Sequence, residues 1–207
     1  MSETEKPIVA AFDFDGTLTQ GDSLLPFLIF AAGWPRFLAG MILLSPQILG
    51  YLIGLIRNDI AKQRVLDYFF GGLENRELQF VAAKFSAEKL PKLLRPEAVK
   101  RLEWHRQQGH TCVLISASLQ DYLIPWARRN GFKHVIASSL AKDEHDRILG
   151  ELEGGNCYGA VKAERLLELM GPREGFELYA YGDSRGDREL LATADHAFFK
   201  TMPLEQR

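Results

Sequence analysis

The sequence predicts an α/β fold: a Rossmann-like parallel sheet with helices on both faces, carrying an inserted helical cap. Three observations lead there. Short continuous apolar runs alternate with longer amphipathic segments through most of the chain, as buried parallel strands alternate with helices. Three of those runs end in small, polar or acidic residues, at Asp13, Ser116 and Asp183, and in open α/β sheets the carboxyl ends of strands surround the site. After the first run, residues 21–94 read as helical, which is too long for a connecting loop. The chain therefore divides into a core of residues 1–20 and 94–207 and a helical cap of residues 21–93.

The first strand is Ile8–Phe12, IVAAF, apolar throughout. In the helical block, Pro26, Pro35, Pro46 and Pro91 act as breakers and Gly71-Gly72 as a turn. Residues 96–108 form an amphipathic helix, with Pro96 in its first turn and Gly109 as its stop. Residues 111–115 are the second strand. Residues 118–130 are a helix, with Ser118 as N-cap and Gly131 as terminator. Residues 134–137 make a third strand, and a hairpin over residues 139–152 turns at 143–146. The helix 160–170 ends at Gly171-Pro172. The fourth strand, 178–181, stops at Gly182-Asp183, and a helix over 185–194 leads to a fifth strand at 196–199.

Composition narrows the function classes. The 207 residues carry 25 Lys plus Arg and 27 Asp plus Glu, a net charge of −2. A general nucleic-acid binder needs a basic excess that is missing here. The opening MSETEKP has no basic n-region or apolar h-region, so it does not read as a secretory signal. Cys112 lies in an apolar run and Cys157 in a Gly-rich loop, and two such cysteines make no disulfide framework. A reducing, cytoplasmic compartment is expected.

Chemistry concentrates at the strand ends. Asp13 and Asp15 stand two apart, followed by Gly16 and Thr17, and Asp183 and Asp187 stand four apart across a strand end and a helix start. Four carboxylates at adjacent strand ends repel one another unless a cation sits among them. A hard oxygen site with few protein ligands suits Mg²⁺. Ser116 adds a hydroxyl and Lys162 a positive charge. Metal, lysine, hydroxyl and backbone N–H groups are the parts phosphoryl transfer needs. Each residue also has a plainer reading: Asp187 as a helix cap, Ser116 as a turn residue, and Lys162 as a solvated lysine.

DFDGT after the first strand, a serine after the second, a lysine, and GDSxxxD after the fourth resemble the four motifs of the haloacid dehalogenase superfamily. Their order is similar to that of the phosphoserine-phosphatase branch, with a helical cap between the first two strands. The resemblance implies a phosphatase acting through an aspartyl-phosphate. In it Asp13 is the nucleophile and Asp15 the general acid and base. Thr17 steadies the loop, Ser116 binds the phosphoryl group, and Lys162 neutralises it and holds Asp13. Asp183 ligates Mg²⁺ with the Asp13 carboxylate and the Asp15 carbonyl. Asp187 is a ligand through water or a partner of Lys162.

The cap bears on the substrate. By the same resemblance, Asp22 and Arg64 stand where an acidic residue and an arginine grip a phosphorylated amino acid. Asp22 is shorter than the usual glutamate and also reads as an N-cap, and Arg64 also reads as solvent-exposed. Between Asp22 and Arg57 the only charge is Arg36. The stretch of residues 37–56 carries no charge at all, and about twenty such residues reach across a bilayer, but Pro46, Gln47 and the glycines at 40, 50 and 54 interrupt it. It reads as a cap packed on itself or against a second copy, or as a re-entrant hairpin turning at Ser45-Pro46. The hairpin reading brings Arg36 and Arg57 to one surface. Two substrate readings follow: a small soluble phosphomonoester of the phosphoserine type, or a lipid phosphate met at a membrane surface. A non-catalytic binding protein on the same fold is a third.

Overall fold

The computed structural model describes residues 6–203. Six strands form one sheet: β1 Ile8–Phe12, β2 Thr111–Leu119, β3 His134–Lys142, β4 Ile148–Glu153, β5 Glu177–Gly182 and β6 His196–Phe199. Their order is β4-β3-β2-β1-β5-β6. All pairs are parallel except β3 with β4. Strand β1 lies at the centre because it can be buried on both sides. Ala10 and Phe12 enter one apolar core, and Val9 and Ala11 the other, by the two-residue alternation of a strand. Helices α5 Pro96–Gln107 and α6 Gln120–Arg129 cover the first face. Helices α7 Ala160–Met170 and α8 Arg188–Ala192 cover the second.

Between β1 and α5 come α1 Leu24–Leu43, α2 Ser45–Leu52, α3 Asn58–Phe70, α4 Asn75–Glu88 and a 3₁₀ turn, Leu90–Lys92. The chain leaves and re-enters the core at one place. Thr19 and Leu94 pair as an antiparallel bridge, flanked by Gln20 N–H to Leu93 O at 2.8 Å and Arg95 N–H to Leu18 O at 2.9 Å. Helix α1 is broken at Gly33, whose φ of 72° and ψ of 162° are not helical. Pro35 follows and offers no N–H. By length and composition α1 is apolar enough to cross a membrane, but the break leaves two pieces, each about half of a spanning length.

The structure redraws several predicted elements. The third strand and the first arm of the hairpin are one continuous strand, β3, since no breaker separates them. Strand β2 runs past residue 115 to Leu119, with an irregularity between Ile115 and Leu119. Ser118 therefore belongs to the strand and caps nothing. The helix predicted over 185–194 is a 3₁₀ turn, Arg185–Asp187, followed by α8. Arg36 and Arg57 do not share a surface. Arg36 donates to the carbonyls of Tyr68 and Phe69, at the end of α3, whereas Arg57 pairs with Asp59 at its start. The uncharged stretch is only partly covered. Phe37 stacks on Phe69 and Gly40 meets Tyr68, but Ile42, Leu43, Leu52 and Leu55 are 64–80 % exposed.

The β3–β4 hairpin holds the helical insert. Gly72 N–H reaches Ile148 O at 2.8 Å, Ile148 N–H reaches Leu73 O at 2.9 Å, and Glu74 pairs with Arg147. The α3–α4 turn thus covers the edge strand β4, which otherwise presents unpaired backbone groups. Gly150 of β4 has a φ of +75°, and a Cβ there would overlap Asp67 of α3. Gly150→Ala should therefore destabilise the protein by about 2–4 kcal/mol through left-handed strain and overpacking. Urea unfolding measures this, and a wild-type midpoint would show that α3 does not seat on this glycine.

Candidate active site

The site lies at the carboxyl ends of β1, β2 and β5. Asp13 follows β1 directly, and its N–H donates to Tyr181 O at 2.9 Å. The chain then turns tightly, with Leu18 and Thr19 N–H both reaching Phe14 O. Gly16 in this turn has a φ of +77° and abuts the Asp183 carboxylate, which a Cβ would overlap. A glycine is required there on both counts.

Lys162 enters from the first turn of α7. Its Nζ donates to Asp13 Oδ1 and to Asp187 Oδ1, each at 2.6 Å, and all three groups are buried. Asp13 Oδ2 accepts the Thr17 hydroxyl at 3.0 Å. Burial raises the Asp13 carboxyl to about 7, against the pull of Lys162 and with a further push from Asp187. Burial also works against charge on Lys162, but the two carboxylates outweigh it and raise its pKa.

Asp187 is presented by the 3₁₀ turn after β5. Its Oδ2 accepts Asp183 N–H at 3.2 Å, Ser184 N–H at 3.0 Å and the Ser184 hydroxyl at 2.9 Å. Gly159 N–H to Gly186 O, 3.0 Å, ties this turn to the start of α7. With both oxygens engaged, Asp187 acts structurally as the partner of Lys162. Asp183 is more open, and burial followed by its neighbour Asp187 raises its carboxyl. Oxygens of Asp13, Asp183 and Asp187 lie within 4.8 Å of one another. With Asp187 occupied by Lys162, the hard oxygens of Asp13 and Asp183 this close, beside the turn at Gly16, fit a small divalent cation.

Asp15 has different surroundings. Its Oδ1 accepts Ser23 N–H at 2.8 Å, and its Oδ2 accepts the Ser118 hydroxyl. Burial raises its pKa, and the Ser118 and Ser23 donors oppose the rise. Ser116 is buried beside it, and its Oγ accepts Ser118 N–H at 3.0 Å.

Among the described residues, no hydrogen bond joins Asp22 or Arg64 to these groups, although the Asp22 carboxylate is near enough to add to the burial that pushes the Asp15 carboxyl up. The exposed Asp22 accepts Leu25 N–H at 2.9 Å and so caps the first turn of α1. Arg64 is exposed on α3. The cation that faces the core is Lys62, whose Nζ donates to Ala117 O, between the two serines, and to Asn156 Oδ1 at 2.9 Å. Burial lowers Lys62 to about 8, against the opposing pull of Asp15 and Asp22. Helix phase carries the signal for it. Lys62 shares a stripe with the buried Leu66, Phe69 and Phe70, at i+4, i+7 and i+8, while a residue two places on points away.

The chain belongs to the haloacid dehalogenase-like hydrolase family, which matches residues 10–192. It is 36 % identical over 195 residues to the protein CicA of Caulobacter vibrioides, covering 94 % of this chain and 86 % of that one. It is 28 % identical over 194 residues to a Mycobacterium tuberculosis protein described as a probable phosphatase, covering 91 % and 67 %. In fold it is similar to a substrate-bound phosphoserine phosphatase, with a TM-score of 0.59 at 14 % identity over 92 % and 84 % of the two chains.

Removing the buried ammonium should leave Asp13 and Asp187 facing each other uncompensated. Lys162→Met is expected to lose about 3–5 kcal/mol at neutral pH. Part of that loss should return as the pH falls, because protonating either carboxyl ends the repulsion. Urea unfolding at two pH values reads both effects, and unchanged stability at neutral pH contradicts them.

Proposed function

We propose that the protein is a Mg²⁺-dependent phosphomonoester phosphatase acting through an aspartyl-phosphate on Asp13. The observation that carries this reading is the buried Lys162 bridge between Asp13 and Asp187, with Asp183 alongside. Lys162 and Thr17 hold Asp13 in one rotamer, which aims a carboxylate oxygen at the incoming phosphorus. Asp13 attacks, the bond from phosphorus to the leaving oxygen breaks, and Asp15 gives that oxygen its proton. Asp15 then takes a proton from a water molecule that attacks the phosphoryl group, so that phosphate leaves and Asp13 is regenerated. Ser116 and Lys162 bind the phosphoryl oxygens. Mg²⁺, held by Asp13, Asp183 and the Asp15 carbonyl, adds charge neutralisation when bound, with Asp187 holding Lys162 in place.

In this reading the helical insert is a cap that selects the substrate. Lys62 is the basic contact it offers, in preference to Arg64 and Asp22. A small phosphomonoester of the phosphoserine type, bearing a second anionic group, matches that contact. The exposed apolar surface of α1, α2 and the turn after them, with Ile42, Leu43, Leu52 and Leu55 outward, favours a second reading. There the cap rests on a membrane and the ester is a lipid phosphate, since large exposed apolar patches mark interaction surfaces.

Purified protein should release phosphate from p-nitrophenyl phosphate in Mg²⁺ and stop when the metal is chelated. Asp13→Asn should reduce turnover to background. Equal turnover by this variant and the wild type rules out the aspartyl-phosphate route. Lys62→Met should raise KM about tenfold on a substrate with a second anion, while Arg64→Met leaves it unchanged. The reverse result returns substrate contact to Arg64. Co-sedimentation with anionic vesicles decides the second reading: protein left in the supernatant rejects it.

A further inference from the structure

The two oxygens of Asp15 have unlike partners. Oδ1 faces a backbone N–H, that of Ser23, which can only donate. Oδ2 faces a hydroxyl, that of Ser118, which can donate or accept. The first contact fixes where a proton can sit. Oδ1 faces a group that can take no hydrogen from it, so a protonated Asp15 carries its hydrogen on Oδ2, where a hydroxyl can accept it. The second contact tolerates both states, since Ser118 donates to a carboxylate and accepts from a carboxyl.

Ser118 is itself held. Its Oγ lies 3.5 Å from Ser23 Oγ, which lies 3.0 Å from the Tyr122 hydroxyl. Ser23, Ser118 and Tyr122 are all buried. A buried hydroxyl needs a partner, and while Asp15 is a carboxylate one ordering serves every member: Tyr122 donates to Ser23, Ser23 to Ser118, and Ser118 to Asp15. The chain joins three elements, because Ser23 precedes α1, Ser118 ends β2 and Tyr122 belongs to α6. Phe27 of α1 and Phe85 of α4 pack against the Tyr122 ring at 4.8 and 5.3 Å. The line is therefore complete only with the insert seated on the core.

We propose that Ser118 is a positioning residue for the proton donor: held through Ser23 by Tyr122, it sets the Asp15 rotamer that presents Oδ2 to the leaving oxygen. The inference rests on the phosphatase reading above. When the leaving oxygen arrives it takes the place of Ser118 on Oδ2. The bond to phosphorus breaks, the Oδ2 proton goes to the departing alkoxide, and Ser118 again donates to the carboxylate that remains. Ser118 gains and loses no proton over the cycle.

The test compares substrates by how much they need that proton. A p-nitrophenolate leaves readily unprotonated, whereas the alkoxide of glycerol 2-phosphate does not. Ser118→Ala should lower kcat on glycerol 2-phosphate about tenfold with KM little changed, and should lower kcat on p-nitrophenyl phosphate far less. Ser118→Thr, which keeps the hydroxyl, should restore kcat. In Asp15→Asn, adding Ser118→Ala should cost nothing more, since coupled residues are not additive. Tyr122→Phe repeats the comparison from the far end of the line if Ser118→Ala does not fold. Equal losses on the two esters, or additive losses with Asp15→Asn, overturn the proposal and leave the phosphatase reading standing. A wild type without turnover on either ester overturns the phosphatase reading instead, and this proposal with it.

Discussion

A lysine ammonium buried between two buried carboxylates organises this molecule. None of the three charges is tolerable alone in the interior, and together they remain stable only if the geometry is kept. Lys162, Asp13 and Asp187 come from α7, β1 and the turn after β5. The sheet register, the glycines at the loop crossings and the Ser184 contacts all serve to bring those three groups to 2.6 Å. The order of the strands follows the same logic. Strand β1 is flanked by β2 and β5, so the three polar strand ends are neighbours and share one cleft.

Two aspartates only two residues apart occupy opposite environments. Asp13 faces an ammonium and a hydroxyl, whereas Asp15 faces an amide and a hydroxyl with no cation bonded to it. The tight turn over Gly16 makes this possible by swinging consecutive side chains into separate surroundings. Environments that differ in this way are how one site assigns unlike roles to chemically identical groups. The division proposed between nucleophile and proton donor follows it.

Much of the core was readable from sequence because its signals are local. An apolar run ending in Asp-Phe-Asp-Gly-Thr is a strand meeting a turn whatever surrounds it. The structure departs from that reading where a signal depends on partners. Ser118 before Leu-Gln-Asp reads as a helix cap, and the irregular pairing of β2 with β3 places it in the strand instead. The hairpin hid its continuity with β3 because two serines at 138 and 139 look like a break, although the Ser138 hydroxyl bonds Asn156 Oδ1 and Cys157 N–H of the loop after β4. On α3 the resemblance points to Arg64, whereas the side chain that reaches Ala117 O and Asn156 is Lys62, whose place on the buried stripe follows from the phase. The outward face of α1 and α2 was not readable in this way. A stretch apolar on every side has no preferred face until its neighbours are known.

The single bridge between Thr19 and Leu94 has a consequence for chain connectivity. Pairing β1 with β2 joins segments far apart in sequence, and such closures are entropically costly and slow. The helical insert has its two ends side by side. With the insert folded and its ends bridged, the path between β1 and β2 shortens to residues 13–19 and 94–110, the second piece carrying α5. The element that divides the Rossmann-like core in sequence thus also closes most of the separation between its central strand pair.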